Sequence, residues 1–184
     1  MKKLLIVIML LTVSFGFGQE FGLFQIAPMG GLIFPENDWE MGFQVGAKAN
    51  IGTIMDGKIG LFPVVSYWSS KYDWESAYAD DDWEYKLSNI KFGLDAHYDL
   101  SEYLNGAYAG AGLALNRVSI EYPHYNWNGV DYKVTSKTDS DMEFGISLLG
   151  GMNFGNFFAE ARYDMISDLN TFGIAGGMYF DMKK

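Results

Sequence analysis

The sequence predicts an all-β chain, folded as an eight-stranded antiparallel up-and-down transmembrane β-barrel. Two observations in the last third carry most of that prediction. Segments 141–154, 156–165 and 171–181 alternate apolar and polar residues. Their apolar series is large: Met142, Phe144, Ile146, Leu148, Met152 and Phe154, then Phe157, Ala159, Ala161, Tyr163 and Met165, then Phe172, Ile174, Met178 and Phe180. The opposite series sets charges beside glycine and alanine. Period-2 alternation means strands with two chemically different faces. Large apolar residues outside and small or charged ones inside is the inversion of a barrel sitting in lipid. A third observation concerns length. Beyond the amino terminus no run is apolar for the roughly 20 residues a transmembrane helix needs, so membrane spanning requires a closed barrel.

The amino terminus reads as a secretory signal peptide. Lys2 and Lys3 precede an apolar run from Leu4 to Phe15, followed by Gly16, Phe17 and Gly18. The basic start, short apolar stretch and small residues at −3 and −1 place cleavage after Gly18, leaving residues 19–184 as one outer-membrane barrel domain. Without cysteine there is neither a lipid-attachment residue nor a disulfide framework. Removing residues 1–18 takes away two lysines and no acid, so the net charge moves from −10 to −12. Such a balance excludes nucleic acid as a partner, because phosphate binding needs a basic surface. The 22 glycines and 17% aromatic residues suit strands whose inward side chains crowd and whose rings meet the membrane interfaces.

The first strand, 24–34, and the third, 59–69, are apolar and β-rich but poorly phased; Pro28 and Pro63 point to bulges or strand ends there. The second, 41–51, sets Met41, Phe43, Val45, Ala47, Ala49 and Ile51 against Gln44, Lys48 and Asn50. The fourth, 87–100, sets Ile90, Phe92, Leu94, Ala96 and Tyr98 against Asn89, Lys91, Asp95, His97 and Asp99. In the fifth, 107–115, alanine and leucine alternate with Gly110, Gly112 and Ala114. Pairing Tyr98 with Ala109 then places Asp95 and His97 against glycines. For the last three strands, Gly155-Asn156 as a type II′ turn sets Phe154 opposite Phe157, Leu149 opposite Arg162 and Ser147 opposite Asp164. A connection over 167–170 sets Tyr163 opposite Ile174 and Ala159 opposite Met178. Leu149, Gly151, Ala175 and Gly177 then flank Glu160 and Arg162.

Connections fall at 35–40, 53–58, 70–85, 101–106, 120–140, 155–156 and 167–170. The two long ones, third and fifth, share a parity and therefore one end of the barrel. Short turns are periplasmic and long loops extracellular in such barrels, so both termini are periplasmic. All five tryptophans (Trp39, Trp68, Trp74, Trp83, Trp127) fall in or beside the outer connections, where an aromatic girdle accounts for some. Within 120–140, Asn128-Gly129 is a strong hairpin signal. Reflection about it sets Leu113 opposite Phe144 and continues both strands as a twisted ribbon past the bilayer.

Three stretches, Tyr108-Ala109-Gly110-Ala111-Gly112-Leu113, Phe158-Ala159-Glu160-Ala161-Arg162-Tyr163 and the closing Gly176-Gly177-Met178-Tyr179-Phe180, are similar to the small outer-membrane β-barrel family of the OmpA/OmpX type. The likeness covers the whole mature length. It implies delivery by the outer-membrane insertion machinery, which reads a terminal aromatic residue; here Asp181-Met182-Lys183-Lys184 follow Phe180.

Inward charges Lys48, Lys91, Asp95, His97, Glu143, Glu160, Arg162 and Asp164 form the candidate lumen network. Eight strands leave an interior just wide enough for side chains, and buried charges must be paired. A filled ionic interior is therefore expected, with a gated ion pathway as the competing reading. His97 and His124 lack an evident nucleophile, so no enzyme activity and no catalytic residue is expected. Asp80-Asp81-Asp82, with Asp73, Glu75 and Glu84, is read as a solvated acidic loop; no metal or cofactor is expected. The function expected is structural anchoring plus adhesin-like surface interaction with an extracellular partner, through Tyr125, Trp127 and Tyr132 at the ribbon tip and Trp74 and Trp83 beside the acidic loop. A small porin-like channel or ligand carrier is the alternative. Outer-membrane lipids surround the barrel, which is expected to be a monomer.

Overall fold

The structure, a computed structural model, describes residues 22–37, 39–74, 83–127, 132–167 and 169–182. The expected signal peptide and the acidic triplet at 80–82 lie outside them. Eight long strands run through the described residues: β1 (Gln25–Pro35), β2 (Gly42–Asn50), β3 (Ile59–Trp74), β4 (Trp83–Asp99), β5 (Ala107–Trp127), β6 (Tyr132–Phe154), β7 (Phe157–Ile166) and β8 (Leu169–Met178). Short extensions, Gly52–Ile54 and Phe180–Asp181, continue β2 and β8. Each strand pairs antiparallel with its sequence neighbour. β1 also pairs with β8, from Met29–Gly177 to Pro35–Thr171, and closes the barrel. Closure leaves no sheet edge within the wall, the condition for β-structure in hydrocarbon.

Burial follows the alternation and has the expected sense. Along β7, Phe158, Glu160, Arg162, Asp164 and Ile166 are buried while Phe157, Ala159 and Ala161 are exposed. Outside, Phe43 is 70% exposed, with Val45, Phe92, Phe144, Leu148 and Ile174 in the same belt. No helix among the described residues is long and apolar enough to cross a membrane.

Hairpin registers largely follow from the turns. Gly155, with φ of 63°, opens the β6–β7 turn in the left-handed region that glycine tolerates, and Phe154 faces Phe157 as expected. Tyr98 faces Ala109. Two other registers are corrected by two residues each. Ile166 pairs directly with Leu169, so the β7–β8 connection is tighter than 167–170, with Ser167 at φ 35°. Tyr163 therefore meets Phe172, and Ala159 meets Gly176. At the ribbon, Trp127–Tyr132 is the last described pair, two residues away from the register expected from Asn128-Gly129, a turn that lies outside the described residues. Leu113 consequently meets Ile146, and Leu115 meets Phe144. Both shifts are even, which keeps every side chain on its expected face.

The prolines sit where ladders break. The β1–β8 ladder skips the residues between Ile26–Phe180 and Met29–Gly177, beside Pro28. Near Pro63 the β2–β3 register slips by one between Lys48–Val64 and Gly52–Leu61, a bulge. The strands differ greatly in length: β5 and β6 run for 21 and 23 residues, β7 and β8 for 10 each. β3 and β4 are also tall. Their ladder continues to Trp74–Trp83, where the sequence reading placed only a loop over 70–85. One end of the barrel thus carries a wall of four strands, β3 to β6.

Candidate functional site

The interior is layered. At the end bearing the termini, Ala27, Met29, Phe62, Val64, Phe158 and Tyr179 form an apolar cluster. At the tall end Ile33, Trp68 and Leu87 form another, with Trp39, Val118 and Leu169 packed against it. Trp68 is therefore no girdle residue. It is 2% exposed and faces inward, because even-numbered residues of β3 point into the barrel. Between the clusters lies the ionic layer.

Its centre is Arg162 on β7. The guanidinium grips the Asp95 carboxylate of β4 with both terminal nitrogens. It also donates from Nη2 and Nε to Glu160 Oε1, at 2.9 and 3.3 Å. The planar fork suits two carboxylates at once. Glu160 Oε2 in turn accepts from Lys48 Nζ at 2.9 Å and from the Tyr108 hydroxyl at 3.0 Å. Lys48 also stands 3.7 Å above the Phe158 ring, where the ring's negative face favours a cation. A second pair, Lys91 Nζ to Asp164 Oδ1 at 2.6 Å, is bridged by Ser147, which accepts from Lys91 at 2.8 Å and donates to Asp164. Arg162 Nη1 comes within 3.9 Å of Asp164 and joins the two pairs. Three cations thus meet three carboxylates, with every charge less than a tenth exposed.

Local sequence makes room for these long side chains. Asp95 faces Gly112, and a Cβ on that glycine would lie 2.0 Å from Asp95 Oδ1. Arg162 lies between Leu149 and Gly173, and Glu160 between Gly151 and Ala175. Gly177 flanks Phe158 rather than Glu160, a consequence of the tighter β7–β8 turn.

Two members of the expected network differ in behaviour. His97 stacks between Phe62 and Tyr108, with centroids at 4.2 and 4.6 Å, and its Nε2 lies 4.0 Å from Glu160 Oε2. It is wedged between rings at the network's edge. Glu143, opposite Asn116 on β5, is half-buried near the tall end and makes none of the ion pairs found among the described residues. Tyr108 and Ser147 belong to the network although they carry no charge. The sequence signal for Tyr108 was its parity with Gly110 and Gly112.

The tall end holds the second candidate region. Ser119 and Ser140 are hydrogen-bonded at 2.8 Å across the β5–β6 ribbon. The Tyr122 hydroxyl donates to Asp139 Oδ2 at 2.7 Å, and Ser136 donates to Glu121. Tyr122 and, more weakly, Lys137 hold the Asp139 carboxyl below its usual range; Tyr122 and Asp139 hold Lys137 above its own. The expected binding residues Tyr125, Trp127 and Tyr132 lie on the last rungs of this ribbon, and Trp74 and Trp83 form the last rung of the β3–β4 hairpin. On the short side, Glu36 accepts from Asn170 Nδ2 at 2.9 Å and from the Tyr163 hydroxyl at 2.8 Å, tying the β1–β2 connection to the β7–β8 hairpin. Among the described residues no group of three or more acidic, histidine or cysteine side chains could hold a metal.

No family model and no curated protein matches the sequence. Solved structures do. The attachment invasion locus protein Ail of Yersinia pestis superposes with a TM-score of 0.53 at 14% identity, over 86% of this chain and 100% of that one. Ail in complex with the heparin analogue sucrose octasulfate gives 0.50 at 12%, over 85% and 97%. Neisserial surface protein A gives 0.47 at 15%, over 86% and 97%. The chain has the fold of an eight-stranded outer-membrane β-barrel.

Proposed function

We propose that this chain is a surface protein of the bacterial outer membrane, whose interior is structural and whose tall outer wall engages an extracellular partner in the manner of an adhesin. The observation that carries the reading is the difference in strand length. Ten tilted residues suffice to cross hydrocarbon, yet β5 and β6 run for 21 and 23. The excess stands in water and is cross-linked by side-chain hydrogen bonds. In this reading residues 1–18 are removed, the insertion machinery delivers a monomer, the termini are periplasmic and the wall faces outward. Apolar clusters close the interior above and below a charge-balanced layer, which weighs against a channel. Ail, which shares the fold, has been crystallised with a heparin analogue. A polyanion is a poor guide to the partner here, because this chain carries a net charge of −10.

The test uses bacteria displaying the full chain. They should gain adherence to epithelial monolayers or immobilised matrix proteins, and deletion of residues 122–133 should remove it while heat-modifiable gel migration persists. No gain in adherence, or a gain indifferent to the deletion, overturns the reading. In liposomes, external protease should cut only at 75–82 and 128–131; cuts at 55–58 or 100–106 would invert the orientation.

A further inference from the structure

The end of the barrel opposite the tall wall is a mouth with a floor. A cavity of about 200 Å³ opens there, among the ends of β2 to β6 and the chain that follows β8. Its floor is aromatic: Phe62, His97, Tyr108 and Tyr179 line it, each less than a tenth exposed. His97 stacks between Phe62 and Tyr108 with both ring faces covered, so it meets the cavity with its edge. Ring edges carry the positive end of the aromatic quadrupole and favour the face of another ring. The floor is thus apolar, fixed in place, and suited to a compact apolar group.

The rim is charged, and with both signs. Lys58, just before β3, and Asp99, at the end of β4, are neighbours at the mouth, where Asp99 N donates to Lys58 O at 3.0 Å. Three successive left-handed residues, Met55, Asp56 and Gly57 with φ of 53°, 55° and 86°, turn the chain back. Lys58 N then donates to Met55 O at 3.2 Å. Ser101 N donates to Asp99 Oδ1 at 2.8 Å and orients that carboxylate. Both side chains are exposed, and neither belongs to the ion pairs found among the described residues. The ionic layer beneath has no charge to spare for them, because its three cations already meet three carboxylates. A ligand of one net charge would satisfy one rim group and be repelled by the other. A ligand carrying both charges satisfies the two together.

We infer that this mouth binds a small zwitterion with an apolar side chain, namely a free α-amino acid. Its carboxylate meets Lys58, its ammonium meets Asp99, and its side chain lies on Phe62, His97 and Tyr179. Sites for drug-sized ligands occupy roughly 300–1,000 Å³, so this one takes a single amino acid rather than a longer peptide. In the orientation proposed above the ligand is a periplasmic solute, bound at the other end of the barrel from the adhesive wall.

The test adds L-phenylalanine to the full barrel in uncharged detergent and follows the His97 imidazole by NMR. His124, the chain's only other histidine, is the reference. The His97 signal should move and saturate as at one site, while His124 stays in place. Phenethylamine lacks the carboxylate and hydrocinnamate lacks the ammonium. Each should bind roughly tenfold more weakly, the worth of one charge-assisted hydrogen bond. Lys58→Gln should bind phenylalanine no better than the unmodified barrel binds phenethylamine, and Asp99→Asn no better than it binds hydrocinnamate. Both variants change exposed side chains, and heat-modifiable migration checks their fold. A motionless His97 up to the solubility limit of phenylalanine, equal binding of all three compounds, or variants that bind like the unmodified barrel overturns the inference.

Discussion

Lys91–Asp164 and Lys137–Asp139 are the same chemical pair in two settings. In the barrel the ammonium and carboxylate are 2.6 Å apart with side chains 4% and 7% exposed; on the ribbon they are 3.6 Å apart and 53% and 62% exposed. The buried pair has lost its water and must be complete: Ser147 accepts from Lys91 and donates to Asp164, and the Arg162 guanidinium stands 3.9 Å from the same carboxylate oxygen. The ribbon pair keeps its hydration and holds little beyond geometry. Charge inside this protein is thus a structural obligation, whereas charge on the wall is free to serve recognition.

The strongest way to break that contrast is Arg162→Ala. It leaves Asp95 and Glu160 buried without their shared cation, and should cost about 3–5 kcal/mol in denaturant unfolding of the refolded barrel. A loss like that of a surface charge would mean the interior is hydrated like the ribbon. Gly112→Val comes next. Its Cβ would lie 2.0 Å from Asp95 Oδ1 and must push that carboxylate off Arg162, for about 1–3 kcal/mol. Wild-type stability would show that Asp95 has another place to go. Removing both partners sharpens the same point, since Lys91→Met with Asp164→Leu leaves no orphaned charge and should fall within about 1.5 kcal/mol of wild type. Either single change should cost more than the pair together.

The smallest effect belongs to the ribbon. Lys137→Ala should leave the unfolding midpoint within replicate error. The ribbon's pH response follows from the signs. Asp139, lowered, contributes above its ordinary 3.8 and loses that contribution only as pH falls through its depressed value. Lys137, raised, contributes below its ordinary 10.5 and loses it only as pH rises through its elevated value. The Tyr122 near-ultraviolet signal should therefore stay flat across neutral pH, from about 5 to about 8, where neither Asp139 nor Lys137 changes charge. A transition near neutrality would mean another group titrates against the ribbon.

Alternation made the barrel legible wherever the two faces differ in chemistry, as along β7, and it located the charged lumen residues. It failed along β3, whose inward residues Phe62, Val64 and Trp68 are as apolar as its outward Val65 and Tyr67. That strand contributes Phe62 and Val64 to one apolar seal of the interior and Trp68 to the other, so this part of both seals escaped a reading based on contrast. Registers were legible to within an even shift. A two-residue slide preserves both faces, and only the pairs observed at the strand ends, Trp127–Tyr132 and Ile166–Leu169, decide between the alternatives. Glu143 had the correct parity, but parity does not report height. Near the mouth an acid can remain half-buried and outside the network.

The ionic layer also has a consequence in time. Lys48 and Glu160 are 112 positions apart, Lys91 and Asp164 are 73 apart, and Asp95 and Arg162 are 67 apart. None of these bonds can form within a growing hairpin; each waits until β7 arrives beside strands made much earlier. Interactions absent from the folding transition state slow unfolding without speeding folding. The layer should therefore act as a latch set last, which governs how long an inserted barrel survives rather than how quickly it assembles.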